Sequence, residues 1–428
     1  MEVFQLGVLL IPMFILMGLG LPIFLAMGIT CLLFIVLFDL PMMILAQSFI
    51  RGLGSYDFLA LPFYFLAGDL MNAGGITARL LKFSRDLIGH IRGGLSHVNI
   101  VASMIFSGVS GSAVADTSAI GSVLIPAMKK DGYPGAYAAA VTAASSTIGP
   151  IIPPSIPLVV YGLLSQVSIG KLFLAGAIPG IMMGVYLLVA SFIISYRRRY
   201  SASQRASLRT LLRSGLDAGS AVMMPVVILV GITTGIVTPT EAGVIAVVYG
   251  LILGLFVYRE LKVRALPQIF AQTMINTGTI LIIIATIGIF CWIIANMGLG
   301  EVLVRCFLSI STNKWVMLGI LNIFFLIWGC FLDPVTSMVI LVPIFIPLVQ
   351  QLGIDLVHFG VVLVINLMIG LVTPPVGILL FLTSSMAQDK LERVIKEIIP
   401  FIIALLLVLA ICTYIPEIVM WLPNLLIK

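Results

Sequence analysis

The chain has 428 residues, 61% of them hydrophobic and 9% charged, with a mean hydropathy of +1.22 and a formal net charge of +6. That leaves too little polar surface to coat a soluble globule of this length, and the long unbroken apolar runs exclude the alternating strands of a membrane barrel. Five scattered cysteines and three dispersed histidines offer neither a disulfide framework nor a metal cluster, and the excess positive charge is expected to reflect membrane topology rather than nucleic acid.

The expected fold is therefore an all-α polytopic membrane protein. No basic segment precedes the first apolar run, so no removable signal peptide is expected. Spans are predicted over 3–19, 21–38 and 57–72, followed by a basic and apolar segment, 76–92, suited to lying in the membrane plane. Next come two apolar arms, Leu95–Phe106 and Ala119–Met128, each too short for the roughly 20 residues a crossing needs. They predict a re-entrant hairpin over 95–128 with its tip at Ser107–Ser118. Gly149–Pro154 then splits the helix 133–165 into two halves, because proline removes a backbone donor and glycine permits the turn.

After a span at 172–195 and the basic loop 196–213, spans are predicted at 216–234, 237–257 and 276–296, with in-plane arms at 259–275 and 298–312. A second hairpin, 315–349, has arms of 315–328 and 338–349 and a tip at Gly329–Ser337. A second broken helix, 356–386, is interrupted at Gly370–Pro375, and a last span covers 398–422.

The two hairpin and broken-helix pairs form a repeat. Asp116 falls on Asp333 and Pro126 on Pro343 at an offset of 217; after a shift of four, Gly149 falls on Gly370 and Pro153-Pro154 on Pro374-Pro375. Pro22 with Pro239, and Asn72 with Asn296, extend the match. If the loop 196–213 is cytoplasmic, 18 of the 23 basic residues fall inside and five (Arg51, Lys171, Arg305, Lys314, Lys428) outside, which makes the halves inverted. Repeated halves with interrupted membrane helices mark a secondary transporter, whose ion and solute sites lie where helices break.

Asp116 and Asp333 are the sharpest single residues, since an acid in membrane sequence marks a pathway or ion site by default. Ser110, Ser112, Thr117, Thr336 and Ser337 add hydroxyl oxygens of the kind a hard cation takes. The alternative is that each Asp caps the second arm of its hairpin. Half-helix N-termini at the breaks offer positive dipole ends to an anion, with Ser155 and Thr373 placed to hydrogen-bond it. Glu241 is expected at a membrane interface. Gly108-Val109-Ser110-Gly111 matches the short GxSG pattern of intramembrane serine proteases, but no histidine follows until His358, so no general base is evident.

With these residues in view, LPFYFLAGDLMNAGGITARL (61–80), HIRGGLSHVNIVASMIFSGVSGSAVADTSAIGSVLIPAMKKDGY (90–133) and AAAVTAASSTIGPIIPPSIPLVVYG (138–162), with LVTPPVG in the second half, resemble the large membrane subunit of tripartite ATP-independent periplasmic (TRAP) transporters. The resemblance covers essentially the whole length. It implies sodium-driven import of an organic acid, a sialic acid or a C4-dicarboxylate, across the bacterial inner membrane, with no cofactor beyond Na⁺ as coupling ion.

It further implies two partners, a small four-helix membrane subunit and a periplasmic substrate-binding protein, and an elevator in which a transport domain slides against a scaffold. One sodium site would lie among Ser110, Ser112, Asp116, Gly149, Ile152 and Pro153, the other among Gly329, Asp333, Thr336, Gly370 and Thr373; the substrate would meet Thr117, Ser155, Thr336 and Thr373. The expected division is scaffold and arm over 1–92, transport halves over 93–170 and 313–390, scaffold, loop and arms over 171–312, and a C-terminal scaffold helix over 391–428. Because the chain opens directly on the large subunit's first span, the small subunit is expected as a separate polypeptide. A stand-alone sodium–carboxylate symporter of the same superfamily and an intramembrane serine hydrolase are the competing readings.

Overall fold

The computed structural model describes residues 2–53, 56–202 and 204–427. Lys428, counted above among the outer charges, lies outside the described residues, as does the side chain of Arg51.

The first part of the chain forms α1 (Glu2–Gly18), α2 (Ile23–Leu37), α3 (Met43–Leu53), α4 (Ala60–Ala73) and α5 (Ile76–Ile88). The first hairpin is α6 (Gly94–Ser110) and α7 (Ala113–Lys130), and the first broken helix is α8 (Gly135–Ser146) and α9 (Ile156–Ser165). Then follow α10 (Ile169–Arg198), α11 (Leu208–Thr233), α12 (Pro239–Ile252, continued by a π turn, Leu253–Val257), α13 (Leu266–Asn296) and α14 (Leu299–Ile310). The second hairpin is α15 (Lys314–Gly329) and α16 (Pro334–Gln351), the second broken helix α17 (Leu356–Gly370) and α18 (Ile378–Ala387), and the chain closes with α19 (Leu391–Tyr414) and α20 (Pro416–Leu426). Among the described residues there is no strand, and six helices are long and apolar enough to cross a membrane.

Four details depart from expectation. The hairpin tips are tighter than 107–118 and 329–337: the first is Gly111-Ser112 and the second Cys330–Asp333, so the arms have 16 to 18 residues and reach about 25 Å. Serine, glycine and alanine near the tips stay helical because helices pack on them. The arm expected at 259–275 is absent; Pro267 fits the first turn of α13, and no breaker interrupts the 31 residues to Asn296. The last span is cut at Ile415, since Pro416 cannot continue α19. Finally α3, too short to read as a span, is a helix packed along α13. The other two arms are present as α5 and α14, each entered through a glycine with positive φ, Gly75 at 78° and Gly298 at 64°.

Helix starts also correct the repeat register. α7 and α16 begin at 113 and 334, α8 and α17 at 135 and 356, and the cis bonds Pro153-Pro154 and Pro374-Pro375 recur, all 221 residues apart. One register thus runs through the half, in place of 217 followed by a shift. Ser112 is the counterpart of Asp333, each the N-cap of its helix, and Asp116 is the counterpart of Ser337. Pro126 pairs with Pro347. The match at 217 arose because an acid and a proline recur one helical turn away from the true register.

The broken helices sit at the centre: every residue of α17 from Val357 to Gly370 and of α8 from Ala136 to Ser146 is buried. Matching polar contacts tie each hairpin to its broken helix. Asn99 donates to Thr142 Oγ1 at 2.6 Å and accepts from Ser145 at 3.0 Å; Asn366 donates to Asn322 Oδ1 at 2.6 Å. α10 and α19 pack on these central helices, and α20 on α10, while α2 and α3 pack on α13 and α12 on α4.

Candidate functional site

Both hairpin tips reach one cavity of about 440 Å³. The tips contribute Ser112, Asp333 and Thr336, the breaks Pro150 and Leu371, and α4 and α13 close the opposite wall with Phe65, Asn276 and Thr279. Four helices begin there. The first residues of α7 (Ala113, Val114), α9 (Ile156, Pro157), α16 (Pro334, Val335) and α18 (Ile378) all line the space. A helix start carries unpaired N–H groups and the positive end of the dipole, so four of them around one cavity favour an anion.

At the first tip, Ser110 hydrogen-bonds Asp116 Oδ1 and accepts from the Ser112 amide at 3.2 Å. Asp116 is fully buried, and its second oxygen, Oδ2, has no hydrogen-bond partner within the protein. Any side chain at Gly149 would collide with that oxygen. Gly111, at φ 60°, lets the tip approach Pro154 so closely that an added Cβ would meet the carbonyl at 2.7 Å. The tip and the break at Gly149–Pro154 are thus brought together around a buried carboxylate with a free oxygen, an arrangement that suits a small cation. Asp116 is not a helix cap: that place is taken by Ser112, which accepts from the Ala115 amide.

At the second tip the capping alternative holds. Asp333 Oδ1 accepts from the amides of Val335 at 3.0 Å and Thr336 at 3.2 Å, and the carboxylate is exposed to the cavity. Gly329 and Gly370 touch backbone to backbone, and the Gly377 amide donates to the Cys330 carbonyl at 3.3 Å, which seats the tip on the second break. Ser337, the counterpart of Asp116, is fully buried with a hydroxyl lacking a partner within the protein.

Of the residues expected to meet substrate, Thr336 lines the cavity. Thr117 instead donates to the Ala113 carbonyl within α7 at 2.8 Å, Thr373, in the break after α17, donates to the Ile369 carbonyl at 2.7 Å, and Ser155 caps α9 through the Leu158 amide at 3.1 Å. The Ile152 side chain lies against Gly180 on α10, and the Pro153 carbonyl lies near Gly108. Asn276 and Thr279 were not foreseen. Their signal was a pair of polar residues three apart in an apolar span. Glu241 forms a capping box with Thr238 at the start of α12, its carboxylate accepting from the Thr238 amide at 2.8 Å.

The serine of the GxSG pattern has Asp116 as partner. His358 bonds the Cys412 carbonyl at 2.8 Å and His97 the Arg92 carbonyl at 3.0 Å, while the Ser110 hydroxyl is engaged by Asp116 and the Ser112 amide.

Residues 10–418 match the family described as "Tripartite ATP-independent periplasmic transporter, DctM component". The chain is 38% identical over 380 residues, 89% of either protein, to the sialic acid TRAP transporter large permease protein SiaM of Vibrio cholerae. It is also 38% identical over 369 residues, 86% of either protein, to the C4-dicarboxylate TRAP transporter large permease protein DctM of Pseudomonas aeruginosa. Its fold resembles that of the YdaH transporter of Alcanivorax borkumensis, with a TM-score of 0.61 over 89% of this chain and 87% of that one at 14% identity. A multi-pass helical protein that aligns over nearly its whole length with large permeases is a transporter subunit; the chain belongs to the DctM family of TRAP transporter large membrane subunits.

Proposed function

We propose that this subunit imports an organic acid across the bacterial inner membrane, driven by sodium and supplied by a periplasmic binding protein, in complex with a small membrane subunit. The observation that carries the reading is the meeting of four helix starts on one cavity beside the unpartnered Oδ2 of Asp116. The helix starts suit the carboxylate of the solute, and the buried oxygen suits a sodium ion travelling with it. A second ion would sit at the other tip, near Gly329, Gly370 and the Ser337 hydroxyl. Asp333 and Thr336 would face the solute there.

The solute is a sialic acid or a C4-dicarboxylate. Equal identity to relatives named for each favours neither, and a cavity of about 440 Å³ holds either. Motion is of the elevator kind. The packing supports a moving unit made of both hairpins, both broken helices, α10, α19 and α20, so 171–198 and 391–428 join the carriage in place of the scaffold role expected for them. α2, α3, α4, α12 and α13 form the fixed wall, and α5 and α14 are the connecting arms.

The test is uptake of radiolabelled sialic acid and succinate into proteoliposomes holding both membrane subunits, under an inward sodium gradient, with and without the binding protein. Uptake that needs sodium and the binding protein is expected for one of the two solutes. Uptake that persists after the sodium gradient is dissipated overturns the coupling, and uptake without the binding protein makes the chain a stand-alone symporter.

A further inference from the structure

A second cavity, of about 370 Å³, lies beside the first and is lined by Asp69 and Asn72 of α4 and by Gln268 and Gln272 of α13. Both cavities use the same face of each helix. On α4 the lining residues are Phe65 for the central cavity and Asp69, Asn72 and Ala73 for the second, at helical spacing. On α13, Gln268 and Gln272 continue into Asn276 and Thr279, and the Gln272 amide donates to Asn276 Oδ1 at 3.1 Å across the boundary. From Gln268 to Asn276 is about 12 Å along the helix. Asp69 is the one charged residue of the second lining, held by Thr273 Oγ1 at 2.8 Å.

The second cavity lies towards the basic end of both helices. Arg259, Lys262 and Arg264 precede α13, and Arg79, Lys82 and Arg85 follow α4, which is the cytoplasmic signature. Three uncharged polar side chains in the lining, Asn72, Gln268 and Gln272, offer hydrogen bonds to a hydroxylated solute without a cation among them to hold its carboxylate. Asp69 stands near the C-terminal end of α4, where the helix dipole is also negative, and so lowers the local concentration of anions, whereas Asp333 of the central cavity stands at a helix start whose positive end offsets its charge.

We infer that the cleft between α4 and α13, from Asn276 to Gln268, is the cytoplasmic exit of the solute, and that Asp69 keeps anions from lingering in it. The inference rests on the anion-import reading of the central cavity. Thiol labelling tests it without transport: Gln272→Cys is treated with methanethiosulfonates bearing a sulfonate or a trimethylammonium group, from either face of vesicles holding both membrane subunits, against the unsubstituted chain. Met274→Cys, on an outward face of α13 with 74% exposure, is the lipid-side control.

Gln272→Cys is expected to react from the cytoplasmic face faster than the control, and the cationic reagent to outpace the anionic one. Adding Asp69→Asn, which keeps an acceptor for Thr273, should narrow that ratio by roughly fivefold. Labelling no faster than the control, labelling only from the other face, or a ratio indifferent to Asp69→Asn overturns the exit. Normal labelling in a chain that imports neither solute counts against the import reading alone.

Discussion

Gly149 and Asp116 touch: the missing side chain of the glycine is the room in which Oδ2 of the acid sits. The contact joins the hairpin tip to the broken helix at the most buried acid among the described residues.

Gly149→Ala should therefore disturb Asp116 before it disturbs the fold. The expected outcome is loss of sodium-dependent uptake together with loss of the sodium-induced rise in melting temperature, in protein still recovered from the membrane. A Gly149→Ala variant with an undiminished sodium response would remove Asp116 from the ion site.

The two acids should behave differently. Asp116→Asn keeps shape and removes charge, and is expected to abolish the sodium-induced stabilisation and at least tenfold of uptake. Asp333→Ala removes a helix cap, costing about 1 kcal/mol; it should lower the melting temperature in the absence of sodium and leave a sodium-induced rise in place. Thermal unfolding across a sodium series separates the two, and equal responses would contradict the roles assigned here.

Asn276→Ala and Thr279→Ala alter the cavity from the side of α13. Each should raise KM for the solute several-fold while the sodium-induced thermal shift stays unchanged, since neither residue approaches a tip-to-break contact. Solute titration at saturating sodium is the measurement.

Asn99→Ala removes the amide that donates to Thr142 and accepts from Ser145. Thr142 keeps the Ala138 carbonyl and Ser145 the Thr142 carbonyl as partners, so the loss is of two buried hydrogen bonds at about 1 kcal/mol each. The variant should unfold at lower temperature with and without sodium, and Asn322→Ala should do the same through Asn366.

Much of the arrangement was legible because membrane burial makes polar and helix-breaking residues conspicuous. The Pro-Pro breaks, the two hairpins and the acid at each tip stood out against apolar sequence, as did Ser110 beside Asp116. What escaped was a matter of register and direction. Composition cannot say whether an acid at a helix start caps it from outside or sits one turn inside, so Asp116 and Asp333 looked equivalent. Nor can it say which way Thr117 and Thr373 point; a threonine in a helix, or just past its end, has the carbonyl four residues back as a ready partner. α3 was too short to cross, and the start of α13 too polar to look like part of a span, although the polarity was what lines the cleft.

The 221-residue register carries a consequence for how the machine runs. Shape is copied between the halves and charge is not: a carboxylate stands inside the wall in one half where the other has a hydroxyl, and at the cavity mouth where the first has a serine. Ions seated at the two tips would thus meet unlike fields, one beside a buried carboxylate, the other beside a hydroxyl. On the elevator reading proposed above, such lopsidedness would make the two stops unequal in energy and would give the empty carrier a preferred resting place.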